Sequence, residues 1–144
     1  MKFLRLYWPS ALTLAAVLWL TLAPQPLPDL DVPSFKGLDK VVHAVMMGGL
    51  AGAVMFDRRR CGRWNLRKNN TGSQRELTPG AVFVISLCVA VFSAADEWAQ
   101  GALGMGRTSD VYDLIADIVG IVMAALTAPA AITALLEGRR AHRP

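Results

Sequence analysis

His43 is the residue from which a chemical argument can start, because imidazole is the side chain whose proton affinity lies closest to neutral pH. Asp39 stands four residues before it and Lys40 three, so in a helix all three share one side, one turn apart. The spacing predicts that the Asp39 carboxylate orients the imidazole while the Lys40 ammonium neutralises or recruits negative charge. Similar groups recur at the ends of two later apolar stretches, as Asp96, Glu97 and Gln100, and as Arg107, Asp113 and Asp117. The expectation is that all nine meet. Lys40 and Arg107 then hold an anionic group, while His43 moves protons with Glu97 or Asp113, which makes these three the catalytic candidates.

The same side chains are weaker evidence for a metal. His43, Asp39, Glu97 and Asp113 are ligand types that suit zinc or manganese, but a single histidine with no second at fixed spacing is no metal motif, and no cofactor is expected. Neither a serine nor a cysteine stands beside His43 as an obvious nucleophile. The paired basic motifs and Ser-Gly-His of membrane lipid phosphatases are absent too.

The elements that position these residues follow from composition. At 144 residues, 53% hydrophobic and only 18% charged, the chain is too apolar for a water-soluble domain of its size and reads as one membrane domain, residues 1–144. Four apolar stretches predict helices over about 4–23, 38–56, 79–100 and 110–136, each near the length that crosses a bilayer. The fold class expected is all-α, a polytopic membrane four-helix bundle. Leu6 to Ala23 carries no charge and ends in Leu22-Ala23-Pro24 without an Ala-x-Ala pattern, which favours a spanning helix over a signal peptide. Tyr7, Trp8 and Trp19 suit the interfacial aromatic belts. Pro24 to Pro33 holds four prolines and reads as an extended crossing loop.

Within the helices, Gly48, Gly49 and Gly52 allow a neighbouring backbone to come close. Ser86, Ser93, Glu97 and Gln100 form one stripe that points Glu97 inward and leaves Asp96 about 100° around the helix. Asp113, Asp117, Gly120 and Ala124 share another face. Asp110 reads as an N-cap, and Pro129 as a kink. Residues 57–78 read as a solvated basic loop, in which Asn69-Asn70-Thr71 is a chance sequon. Cys61 in that loop and Cys88 in an apolar run predict no disulfide.

Charge sets the orientation. Of 15 Lys and Arg, only Lys36, Lys40 and Arg107 fall on one side of the four spans; the other twelve lie at the N-terminus, in 57–78 and in the C-terminal tail. The positive-inside rule then predicts both termini and the basic loop in the cytoplasm, with the polar cluster at the outer leaflet. This clustering beside apolar stretches, with no groove-reading or base-stacking module, argues for anionic lipid rather than nucleic acid as the partner of the net +4 charge.

On these residues the chain resembles the VanZ-like family of small bacterial membrane proteins. The resemblance is carried by Leu22-Ala23-Pro24 closing the first helix, Asp39-Lys40-x-x-His43 opening the second, Asp96-Glu97-x-x-Gln100 closing the third, and Arg107 through Asp113, residue 117 and Gly120. It covers nearly the whole chain except the basic loop and tail. Where the family usually has asparagine, this chain has Asp117, an added titratable acid. The resemblance implies a multi-pass protein of the bacterial cytoplasmic membrane with a link to the envelope and to glycopeptide-antibiotic tolerance.

Three readings of the cluster stay open at this level. It is a pocket for the anionic head group of a lipid-linked cell-wall intermediate or a glycolipid, a membrane-embedded enzyme, or a polar network that only ties helices together. Four helices without an inverted repeat argue against a transporter, and the sequence assigns no oligomeric state.

Overall fold

The computed structural model describes residues 2–23, 37–69, 77–103 and 110–141. They form four helices, α1 (Lys2–Leu22), α2 (Leu38–Asn69), α3 (Pro79–Leu103) and α4 (Val111–Ala141), with no strand among the described residues. Three of them, α2, α3 and α4, contain stretches long and apolar enough to cross a membrane; the apolar part of α1, Tyr7–Leu22, is shorter. The protein is an all-α membrane bundle, as its composition predicts. The proline-rich stretch 24–36, the stretch 104–109 with Arg107, and residues 70–76 of the basic segment lie outside the described residues.

Local chemistry fixes the helix starts. At α3 the Thr78 hydroxyl accepts the Ala81 N–H (3.2 Å), with Pro79 in the first position, where its missing N–H costs nothing. At α4 the Asp110 carboxylate accepts the Tyr112 N–H (2.9 Å), so the N-cap reading holds. Gly37, with φ of 98°, precedes α2 in a conformation that favours glycine. Inside α1, Tyr7 leaves helical geometry two residues before Pro9, whose ring crowds the preceding turn and offers no N–H.

The interior is narrow. Val17, Met47, Leu50, Met55, Ile85, Val89 and Ile121 are buried, while Leu126, Phe83 and Val45 point outward at 73%, 68% and 67% exposure. That exterior faces the lipid bilayer, where apolar surface gains nothing by hiding. Close packing and polar contacts must hold the helices instead. The closest packing joins α2 to α4. A Cβ added at Gly48 would lie 2.7 Å from the Gly120 carbonyl oxygen, and one at Gly120 would overlap the Ala44 carbonyl. Gly49 and Gly52 meet open space, so of these three glycines only Gly48 serves this approach.

Two expectations are corrected. The segment read as a loop from residue 57 is helical to Asn69, because it holds no proline and five of its thirteen residues are Arg, a good helix former. Asp57 and Cys61, assigned to that loop, are buried within α2. The Asp57 carboxylate takes both the N–H (3.0 Å) and the hydroxyl (2.5 Å) of Ser10, the first backbone donor after Pro9. Likewise α4 runs through Pro129 to Ala141, beyond the expected end at 136.

Candidate functional site

The C-terminal ends of α1 and α3 and the N-terminal ends of α2 and α4 gather at one end of the bundle. His43, on the first turns of α2, is buried there. Its Nδ1 lies 3.2 Å from Asp117 Oδ1 of α4 and 3.8 Å from Glu97 Oε1 of α3, and its Nε2 lies 4.0 Å from Asp113 Oδ2. An ionised Asp117 can only accept, so Nδ1 carries the proton in that contact. The Ser93 hydroxyl donates to the other Asp117 oxygen at 2.7 Å. Glu97 Oε2 accepts the Asp110 N–H (3.3 Å), while Glu97 Oε1 is buried with no hydrogen-bond partner among the described residues.

Lys40 sits nearer the surface and donates to Asp39 (2.9 Å), Asp110 (3.1 Å) and Asp113 (2.9 Å). An ammonium has three hydrogens, so its donors match its partners in number. Asp110, just outside the apolar span of α4, is held below the usual carboxylate range, first by the Tyr112 N–H and then by Lys40. Asp113 thus joins the two parts, one oxygen on Lys40 and the other toward His43. A third group lies between α1 and α3, where Asp96 accepts from Thr21 (3.0 Å) and Gln100 (3.1 Å).

The helices therefore bring Lys40, His43, Glu97, Asp113 and Asp117 together. Asp39 does not orient His43; it is exposed and turned to Lys40, because its partner is its sequence neighbour while His43 is met by α4 from inside. Asp96 is bound by Thr21 of α1 rather than by His43, and Gln100 donates to Asp96 of its own helix, since α3 is covered on a second side. Arg107 lies outside the described residues. Sequence reasoning left Ser93 and Asp110 out of the site, although Ser93 is one turn before Glu97 and Asp110 one turn before Asp113.

With five carboxylates, Asp39, Glu97, Asp110, Asp113 and Asp117, around Lys40 and His43, the described site is acidic. It suits hydroxyl, ammonium or metal-ion partners better than a bare anion. His43, Glu97 and Asp117 each turn a ligand-type atom to a common point, within 4.8 Å of one another. A family model described as VanZ/LLP1 matches residues 3–133. The chain belongs to that family. No curated protein and no solved structure matches it. In this VanZ/LLP1 protein the match takes in α1, α2, α3 and most of α4, so every site residue lies within the family domain, as does the helical extension of α2.

Proposed function

We propose that this VanZ/LLP1 protein sits in the bacterial cytoplasmic membrane, both termini in the cytoplasm, and binds the head group of a glycolipid or lipid-linked cell-wall intermediate at its outer-leaflet end. The observation that supports this most is a groove between α2 and α4. It has a volume of about 520 Å³ and is lined by Val41, Val45, Gly49, Gly52, Val119 and Met123 among others, Val41 being the residue that follows Lys40 in α2. That volume is within the range of ligand pockets. A lipid chain lying in the groove carries its head group to Lys40, Asp110 and Asp113.

Sugar hydroxyls there donate to carboxylates, and a phosphate reaches Lys40 by displacing Asp39, the most exposed of its three partners. Binding of this kind fits a part in envelope or glycopeptide-antibiotic tolerance. Proton transfer by His43 with Glu97 or Asp113 is the enzymatic form of the same reading.

The alternative, a purely structural clamp, is favoured by the full set of acceptors around Lys40. Lipids that copurify with the wild type and with Asp113→Asn and Val45→Trp separate the two. Enrichment of glycolipid or polyprenyl-linked lipid over the bulk membrane, lost in both variants while melting temperature is kept, supports the pocket. Bulk lipid composition in all three, with Asp113→Asn strongly destabilised, supports the clamp.

A further inference from the structure

The unpartnered oxygen of Glu97 is the feature that neither a head-group pocket nor a helix clamp explains. Glu97 is 5% exposed and its Oε1 makes no hydrogen bond among the described residues, yet it is aimed at His43 Nδ1 from 3.8 Å. A buried carboxylate oxygen left alone is costly in a membrane interior, and a bound cation is one way to satisfy it.

We propose that His43 Nδ1, Glu97 Oε1 and Asp117 Oδ1 hold a divalent ion of the zinc or manganese class, with a further coordination position for water or a ligand oxygen. The spacing carries the first part of the argument. Metal bonds of roughly 2.1 Å in tetrahedral geometry put neighbouring ligand atoms ~3.4 Å apart. The separations from His43 Nδ1, 3.2 Å to Asp117 and 3.8 Å to Glu97, lie on either side of that value.

The second part is the support behind each ligand. Asp117 is held through its other oxygen by Ser93, and Glu97 through its other oxygen by the Asp110 N–H. Asp113 stands 4.0 Å from the far nitrogen of His43, on the side where Nε2 keeps its proton when Nδ1 gives its lone pair to the metal. Ligands oriented in this way from behind are typical of metal centres. The third part is charge. Two carboxylates and a neutral imidazole balance a dication, whereas without it the same residues bring uncompensated negative charge into a buried space.

Asp117 is the ligand that spacing along the sequence conceals. It comes from α4, 74 residues from His43, and takes the place that the i, i+4 relation assigns to Asp39.

The test uses full-length protein purified in detergent, stripped with a chelator and reloaded with zinc or manganese. Metal content after desalting should approach one ion per chain in the wild type, and reloading should raise the melting temperature. Glu97→Gln and Asp117→Asn, which keep side-chain size, should each lower metal affinity at least tenfold. Asp39→Asn, outside the proposed site, should bind as the wild type does.

Failure of the wild type to retain either metal above the level of Glu97→Gln would overturn the proposal. So would equal loss in Asp39→Asn, because it would mark a diffuse acidic surface. If the variants do not accumulate, the wild-type melting curve still decides: no shift between stripped and reloaded protein rejects the site. Each readout is independent of lipid binding, so this result stands apart from the head-group reading.

Discussion

Gly120 lies against the Ala44 carbonyl with no room for a side chain, and this contact is one residue along α2 from His43 and three along α4 from Asp117. The distance between the two ligating helices is thus set beside the polar cluster. Lipid-facing apolar side chains cannot supply that closeness, because hydrocarbon outside competes equally well for them.

Gly120→Ala should therefore part α2 from α4. Overpacking of this kind costs about 1–3 kcal/mol. The melting temperature in detergent should fall, and any binding property of the site should weaken with it. Gly52→Ala, which meets open space, is the control and should be nearly neutral or slightly stabilising.

At the other end of the bundle, Asp57→Ala leaves the Ser10 N–H and hydroxyl without their acceptor. A lost buried acceptor costs about 1–3 kcal/mol. Ser10→Ala removes only the hydroxyl and should cost less. A double-mutant cycle on the two positions, read by thermal unfolding, should show clear coupling; additivity would mean that the pair contributes little.

Acid should loosen the start of α4 before it affects the apolar packing. The Asp110 carboxyl titrates below its ordinary value of 3.8 in the folded protein, so its contribution is present above that pH. It is lost as pH falls through the lowered folded value. Asp110→Asn keeps a capping side chain but not the charge facing Lys40, and its melting temperature should vary less than the wild type's at the acid end of a pH series.

The orientation is tested by reporters fused after Pro144 and inserted near Gly72. Both should read cytoplasmic, from the twelve basic residues on that side against Lys36, Lys40 and Arg107 on the other. An extracytoplasmic signal from either would move the polar end to the inner leaflet.

Much of this arrangement is legible in the sequence, for identifiable reasons. Apolar runs set three of the helices, and the spacing of Asp113, Asp117 and Gly120 puts acids and close contact on one face of α4. The partner of His43 is not legible in the same way. Helical spacing makes Asp39 a candidate, but only the approach of α4 decides that Asp117 is closer. Asp96 is misread for a related reason: a stripe has one inward side only when a helix has one neighbour, and α3 meets α1 as well as α2 and α4. The α2 extension is hidden in the sequence because the onset of charge at Asp57 marks the end of the apolar stretch and not the end of the helix.

The Ser10–Asp57 contact bears on biosynthesis. Beyond Pro9, the first backbone donor of α1 is satisfied by a residue 47 positions later in the chain. A chain made from its N-terminus thus inserts α1 with that donor still unmatched, and the helix gains its cap only once all of α2 up to Asp57 has been synthesised and has packed beside it. Truncations ending before residue 57 should leave the start of α1 frayed, whereas those ending just after α2 should not.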